Sequence, residues 1–143
     1  MGLVWDGIKQ AFWLLATGDP EIWAITWLSL QISACATLLA LFLGIPLGIM
    51  LALSQFPGRS VTVALVNTGM GLPPVVVGLF VSIFFWRSGP LGFLELLYTP
   101  TAMVIAQLVI AFPIVAGLTM AAFQTLLGIS LQKMPLNLKN LPG

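Results

Sequence analysis

The sequence predicts an all-α membrane protein, in which an interfacial N-terminal helix precedes three transmembrane helices. Two observations predict this class. Hydrophobic residues make up 59% of the 143-residue chain and charged residues only 6%, whereas soluble domains carry about 25% charged residues. Residues 22–55, 60–86 and 96–124 contain no charged side chain, and each stretch exceeds the roughly 20 apolar residues that cross a bilayer.

The first residues carry an apolar pattern with helical spacing, formed by Val4, Ile8, Phe12 and Leu15. Trp5 and Trp13 lie nearby, and tryptophan is favoured where a membrane meets water. The pattern therefore predicts a short helix in the membrane interface, with a frayed terminus as the alternative.

The first span is predicted over residues 23–53. Asp19 can cap its free amides, Pro20 suits the first helical position, and Glu21 favours the positive end of the helix dipole. Small residues recur every fourth position and form one stripe, which predicts close helix–helix packing. The stripe consists of Ala36, Ala40, Gly44, Gly48 and Ala52.

The second span, residues 61–86, is predicted to be interrupted. Residues 67–74 contain two glycines and two adjacent prolines, and each proline removes an amide donor and blocks the preceding turn. Irregular backbone at membrane depth survives only where protein or a water-filled cavity surrounds it. The interruption therefore indicates either a transport path or a proline kink without function. The third span is predicted over residues 100–123.

The sequence lacks residues that several classes of function require. Cys35 is the only cysteine and the chain has no histidine, so neither an intrachain disulfide nor a His-based metal or acid–base site is available. No nucleophile–base pair or carboxylate pair can be assembled, and the net charge of +1 gives no reason to expect nucleic acid. We expect neither enzyme activity nor a metal. The spans also lack carboxylates, so uphill transport would need energy from another subunit.

The few charges favour one orientation. With the N-terminus outside, Arg59, Lys133 and Lys139 lie on the cytoplasmic side, and Lys9 and Arg87 lie outside. The opposite placement leaves fewer basic residues in the cytoplasm, so the positive-inside rule favours an external N-terminus.

Residues 67–79, NTGMGLPPVVVGL, resemble a segment of the permease subunits of bacterial ATP-binding cassette (ABC) importers for tungstate and molybdate. The tungstate branch is more similar, through further strings in the same order. These are GDPE at 18–21, GIPLG at 44–48, FPGR at 56–59, RSGPLG at 87–92 and YTPTAMVIAQ at 98–107.

The resemblance implies that residues 1–124 are the N-terminal part of a five-span type I importer permease of the inner membrane, with its N-terminus outside. It implies a homodimer that lines an oxyanion path, an external binding protein that delivers the anion, and ATPase subunits that bind ATP as the only cofactor. By position, the candidates for the path are Asn67, Thr68, Gly71, Pro73 and Pro74.

The sequence departs from this family after the third span. The family has a cytoplasmic Glu-Ala-Ala loop that couples the permease to its ATPase, whereas no acidic residue follows Glu95 here. Residues 125–143 are therefore expected to be a divergent cytoplasmic tail, read out of frame or from a shortened gene, and the copy is expected to be inactive. The alternatives are a permease for molybdate or another small solute, and a small accessory or assembly membrane protein.

Overall fold

A computed structural model describes residues 1–133, and these residues form helices joined by short connections. The all-α prediction is confirmed. The elements are α1 Gly2–Thr17, α2 Pro20–Leu53, α3 Arg59–Gly71, α4 Pro74–Phe85, a short 3-10 helix Gly92–Leu94, and α5 Pro100–Lys133.

Two helices, α2 and α5, are each long and apolar enough to cross a membrane alone. The other candidate is the pair α3 and α4, which qualifies only as a unit and is bent by 106°. Residues 1–133 therefore contain two or three candidate membrane spans.

Each of the three predicted spans lies within helices of the structure, apart from the break and the last residue of the middle span. α2 ends at Leu53, as expected, and α3 and α4 together cover the expected middle span. α5 contains the predicted third span, residues 100–123, and continues as regular helix to Lys133. No proline occurs between Pro113 and Lys133, so nothing in the local sequence stops the helix. The rest of the expected divergent tail, residues 134–143, lies outside the described residues.

The start of α2 is capped as the sequence predicts. The Glu21 N–H donates to the Asp19 side chain over 3.0 Å, and Pro20 occupies the first turn. Proline loses nothing there because the first amides of a helix have no intrahelical acceptor. This cap separates α1 from α2 at Gly18, whose backbone is left-handed with φ 69°.

α1 stands apart from the bundle, and none of its side chains is buried. Its apolar residues Val4, Ile8 and Phe12 are all exposed. The Lys9 ammonium lies 5.7 Å from the centre of the Trp5 ring, a distance at which a cation and an aromatic face attract each other. An amphipathic helix of this kind suits the membrane interface.

α2 packs mainly against α5. The helices approach closely because the stripe of small residues on α2 faces α5. A β-carbon added at Gly44 would lie 2.8 Å from the Val115 side chain, and one added at Gly48 would lie 2.6 Å from the Ala116 carbonyl oxygen. Four members of the stripe, Ala36, Ala40, Gly44 and Gly48, are buried, and Ala52 is half-buried.

The register of these contacts shows that α2 and α5 are parallel. Gly44 lies against Phe112 and Val115, and Gly48, one turn later, lies against Thr119, so residue numbers rise together along both helices. The chain must therefore return across the bundle between the end of α2 and the start of α5. The broken pair α3–α4 makes this return.

α3 runs antiparallel to α5. Val66 belongs to a buried cluster with Leu51, Ala116 and Met120. Further along α3, Gly69 lies against Pro113, which is earlier in α5. This cluster joins α2, α3 and α5 in one small apolar core.

We predict that Gly48→Ala destabilises the bundle, because its methyl group overlaps the backbone of α5 and overpacking costs about 1–3 kcal/mol. The matched control is Gly128→Ala on α5, where an added β-carbon has no neighbour within 4 Å. There alanine should stabilise the helix by up to about 1 kcal/mol. Thermal unfolding in detergent, followed by circular dichroism, measures both. Equal midpoints for the two variants would contradict the packing described above.

Candidate functional site

The break between α3 and α4 is the main irregularity within the spans. α3 ends at Gly71, and α4 begins at Pro74. Leu72 and Pro73 between them are extended, with ψ of 128° and 135°. The interruption that the glycines and prolines predict is confirmed.

The hydrogen bonds explain why the helix stops there. Pro73 and Pro74 have no N–H to donate, so the turn before them cannot be completed. The last amide before the prolines, that of Leu72, donates back to the Gly69 carbonyl over 3.4 Å. On the far side, the Val76 and Val77 amides both donate to the Pro73 carbonyl, over 3.0 and 3.3 Å, and they start α4.

One face of the break is held against α5. A β-carbon at Gly69 would lie 2.8 Å from the Pro113 ring, and one at Gly117 would overlap the Met70 sulfur. Gly69 is therefore a packing residue, which the sequence analysis did not separate from the other residues of the break. The packing role of Gly69 depends on its contact with Pro113 of α5. A single sequence does not show that these two positions lie next to each other.

The five predicted path residues lie on the break but are not enclosed by it. Asn67, Thr68, Gly71, Pro73 and Pro74 are all exposed, and a β-carbon at Gly71 would have no neighbour within 4 Å. The structure thus brings these residues together at one bend and leaves their outer side uncovered by residues 1–133.

The polar groups at the break differ in what they can donate. The Thr68 hydroxyl donates to the Ala64 carbonyl over 2.8 Å, so in this conformation its oxygen offers only acceptor sites. The Asn67 side-chain amide makes no hydrogen bond within residues 1–133. The Val75 N–H likewise has no backbone acceptor in that part of the chain. Asn67 and Val75 are therefore the two neutral donors available to an anion.

No charge lies within the broken pair after its first residue, Arg59, because residues 60–86 are uncharged. Among the residues described, no three His, Cys, Asp or Glu side chains are grouped so as to hold a metal ion. The site can offer hydrogen bonds to a solute.

A cavity lies beyond the end of α4, in the loop that leads to α5. It has a volume of about 370 Å³ and is lined in part by Arg87, Glu95 and Tyr98. Glu95 and Tyr98 have positive φ, 48° and 65°, which is uncommon for residues other than glycine. This cavity is at the opposite end of α4 from the break, and the sequence analysis did not identify it.

The chain is similar to permease proteins of anion transporters. It is 43% identical to the tungstate uptake system permease protein of Peptoclostridium acidaminophilum, over 83% of this chain and 52% of that protein. It is 42% identical to a probable anion ABC transporter permease of Haloferax volcanii, over 78% of this chain and 50% of that protein.

A third relative, the tungstate uptake system permease protein of Campylobacter jejuni, is 35% identical over 80% of this chain and 48% of that protein. Weaker matches are named as sulfate and as molybdate/tungstate transport system permeases. The chain spans about half the length of the first three relatives. No protein-family model matches the chain, and no solved structure matches it significantly.

We predict that the outer side of the break contacts water, because its backbone is irregular and residues 1–133 do not cover it. In a Cys35→Ser background, Asn67→Cys should react with a water-soluble maleimide in intact membranes. The matched control is Thr37→Cys, at an exposed position inside the regular helix α2. Mass spectrometry of the labelled protein measures both. A break that faces lipid would leave Asn67→Cys as unreactive as Thr37→Cys.

Proposed function

Since this multi-pass membrane protein is homologous to the permease subunits of ABC importers, we propose that it forms part of an importer for a small oxyanion. Tungstate is the proposed substrate. Its support is the pair of tungstate permeases among the most similar relatives. We propose that residues 1–124 correspond to the N-terminal part of the permease transmembrane domain.

The observation that carries this proposal is a break at membrane depth that exposes neutral donors and no charge. An oxyanion needs hydrogen-bond donors once it leaves water, and the Asn67 amide and the Val75 N–H supply them. A buried arginine would bind a dianion more tightly, whereas neutral donors allow it to leave again. Binding that is favourable but weak suits a transport path more than a site that retains the anion.

The energy source and the partners follow from the same proposal. A permease subunit is not an enzyme, and the spans carry no carboxylate that would couple transport to protons. ATP would therefore be bound and hydrolysed by a partner ATPase. An external binding protein would deliver the anion, and a second copy of the permease would complete the wall of the path.

The direction of the helices supports an external N-terminus in the inner membrane. Because α2 and α5 are parallel, their C-terminal ends, near Arg59 and Lys133, lie on the same side of the bundle. Arg87, at the end of the broken span, lies on the opposite side. The positive-inside rule would place the side with Arg59 and Lys133 in the cytoplasm.

Molybdate and sulfate are the competing substrates, because weaker relatives carry those names. All three are tetrahedral dianions, so neutral donors at the break would not separate them. Substrate choice would then rest with the binding protein. Uptake measured with each of the three anions decides between them.

We predict that a chimera transports tungstate. In it, residues 1–124 replace the matching segment of the Peptoclostridium acidaminophilum permease, which is co-expressed with its binding protein and ATPase in a strain that lacks tungstate uptake. Asn67→Leu should lower uptake by about tenfold or more, since a lost hydrogen bond to an ion is worth about 1.5–3 kcal/mol. Thr68→Val should have a smaller effect, because the Thr68 hydroxyl already donates its proton to the Ala64 carbonyl.

The control for this experiment is Thr37→Val. Thr37 is also exposed and also donates to a carbonyl one turn earlier, over 2.7 Å, but it lies outside the break. Immunoblots of membrane fractions correct uptake for protein amount. Unchanged uptake in Asn67→Leu would remove Asn67 from the path, and a chimera that assembles without any anion uptake would contradict the proposed function.

A further inference from the structure

Arg59 is the only charged residue between Glu21 and Arg87, and it is the first residue of α3, directly after the turn that follows α2. Its side chain is half-buried. Its Nε donates to the Leu51 carbonyl over 2.8 Å, so the guanidinium is held at the C-terminal end of α2. There it complements the negative end of the helix dipole.

This hydrogen bond uses only part of the guanidinium. An arginine has five N–H donors, four of them on its two terminal nitrogens. Within residues 1–133 those four donors make no further hydrogen bond. Arg59 thus presents a planar pair of donor groups, the geometry that matches a phosphate, at a position just past the end of a membrane span.

Leu47 and Thr62, each one helical turn from an end of the Arg59–Leu51 hydrogen bond, line an apolar groove. The groove has a volume of about 370 Å³ and lies between α2, α3 and α5, within the range of small-molecule sites. It is lined by Leu47, Thr62, Leu65, Val66, Gly69, Leu72, Val109, Phe112 and Pro113.

The sequence spacing places Arg59 at one end of the groove. Leu47 lies one helical turn before Leu51 on α2, and Thr62 lies one turn after Arg59 on α3, so both residues flank the Arg59–Leu51 hydrogen bond. At its other end the groove reaches Leu72, which is part of the break. The positively charged Arg59 thus lies at one end of the apolar groove, and the groove extends from there toward the break.

We propose that Arg59 and this groove bind one anionic phospholipid. The lipid phosphate contacts the free donors of Arg59, and one acyl chain lies in the groove against Val109 and Leu72. A phospholipid places its phosphate and its chain at the same two depths as Arg59 and the groove. Basic pockets between membrane helices on the cytoplasmic side are a known site for anionic head groups.

An apolar helix fits the groove less well than a lipid. Covering Arg59 with apolar side chains would strip water from its free donors and leave them without acceptors, which is costly. A phosphate supplies both the charge and the acceptors. Because the acyl chain reaches the break, the bound lipid would favour the bent arrangement of α3 and α4. The inference needs only a membrane-embedded chain and is independent of which anion is transported.

Native mass spectrometry of the full chain released from nanodiscs tests the proposal. The nanodiscs contain phosphatidylglycerol and phosphatidylethanolamine in equal amounts. We expect one retained lipid with at least a fivefold preference for phosphatidylglycerol. Arg59→Gln should lose the preference. The matched control Arg87→Gln, which removes the arginine at the other end of the broken span, should keep it.

A second pair of variants tests the groove while Arg59 stays in place. Val109→Phe fills the groove from α5 and should lower lipid retention at least fivefold. Leu118→Phe, at a residue of α5 that is 59% exposed and outside the groove lining, should not. Helical content from circular dichroism identifies any variant that fails to fold.

Four results would overturn the proposal. One is a preference for phosphatidylglycerol that survives Arg59→Gln. Another is full lipid retention in Val109→Phe, which would mean that the lipid does not need the groove. A third is displacement of the lipid by millimolar inorganic phosphate, which would leave Arg59 as a simple anion contact. The last is a dimer that Val109→Phe dissociates while lipid binding persists, since that would assign the groove to a second copy of the chain.

Discussion

The contact between α2 and α5 is the interaction on which the rest of the bundle depends. In lipid, apolar side chains gain little by leaving the solvent, so helices associate through close packing of their surfaces. Gly44 and Gly48 make this possible because each leaves room for α5 where a β-carbon would fall within 3 Å of its atoms. Ala40, one turn earlier, is completely buried and continues the same surface.

The parallel direction of this contact determines what the middle of the chain must do. A chain that leaves α2 on one side and enters α5 on the other has to cross the membrane once more, and the broken pair α3–α4 is the segment that crosses. Gly69 packs against Pro113 and holds one face of the break to the bundle. The opposite face carries Asn67 and exposes it. The proposed path thus follows from the packing, because the face that α5 leaves uncovered is the one that bears the free donors.

Much of this architecture could be predicted from the sequence, because the deciding signals are local. Uncharged stretches predict spans, Asp19 and Pro20 predict the start of α2, and adjacent prolines predict the break. The cap and the break each depend on residues within about one helical turn, and each span depends on one continuous stretch of sequence. The position of the path candidates at a single bend also follows, since they are neighbours in sequence.

Other features could not be predicted because they depend on which surfaces meet. The stripe on α2 indicates that another helix packs closely against it. It does not show that this helix is α5 or that the two helices are parallel. Gly69 and Met70 pack against residues more than one helix away in sequence. The bond from Arg59 to Leu51 reaches back across a turn, and neither residue type alone indicates it. The length of α5 also exceeds its hydrophobic run, because a helix can continue beyond the residues that lie in the membrane.

The most direct test of this account is the direction of α2 relative to α5. Pulsed electron paramagnetic resonance on nitroxide pairs in a Cys35→Ser background measures it, with one label at Leu53 and the other at Leu126 or Met103, all three exposed positions. Parallel helices predict a short Leu53–Leu126 distance, set by an interaxial spacing of about 8–10 Å plus the labels. They predict a Leu53–Met103 distance of about 30 Å, from the rise along α5. The reverse order of these two distances would mean antiparallel helices and would contradict the account.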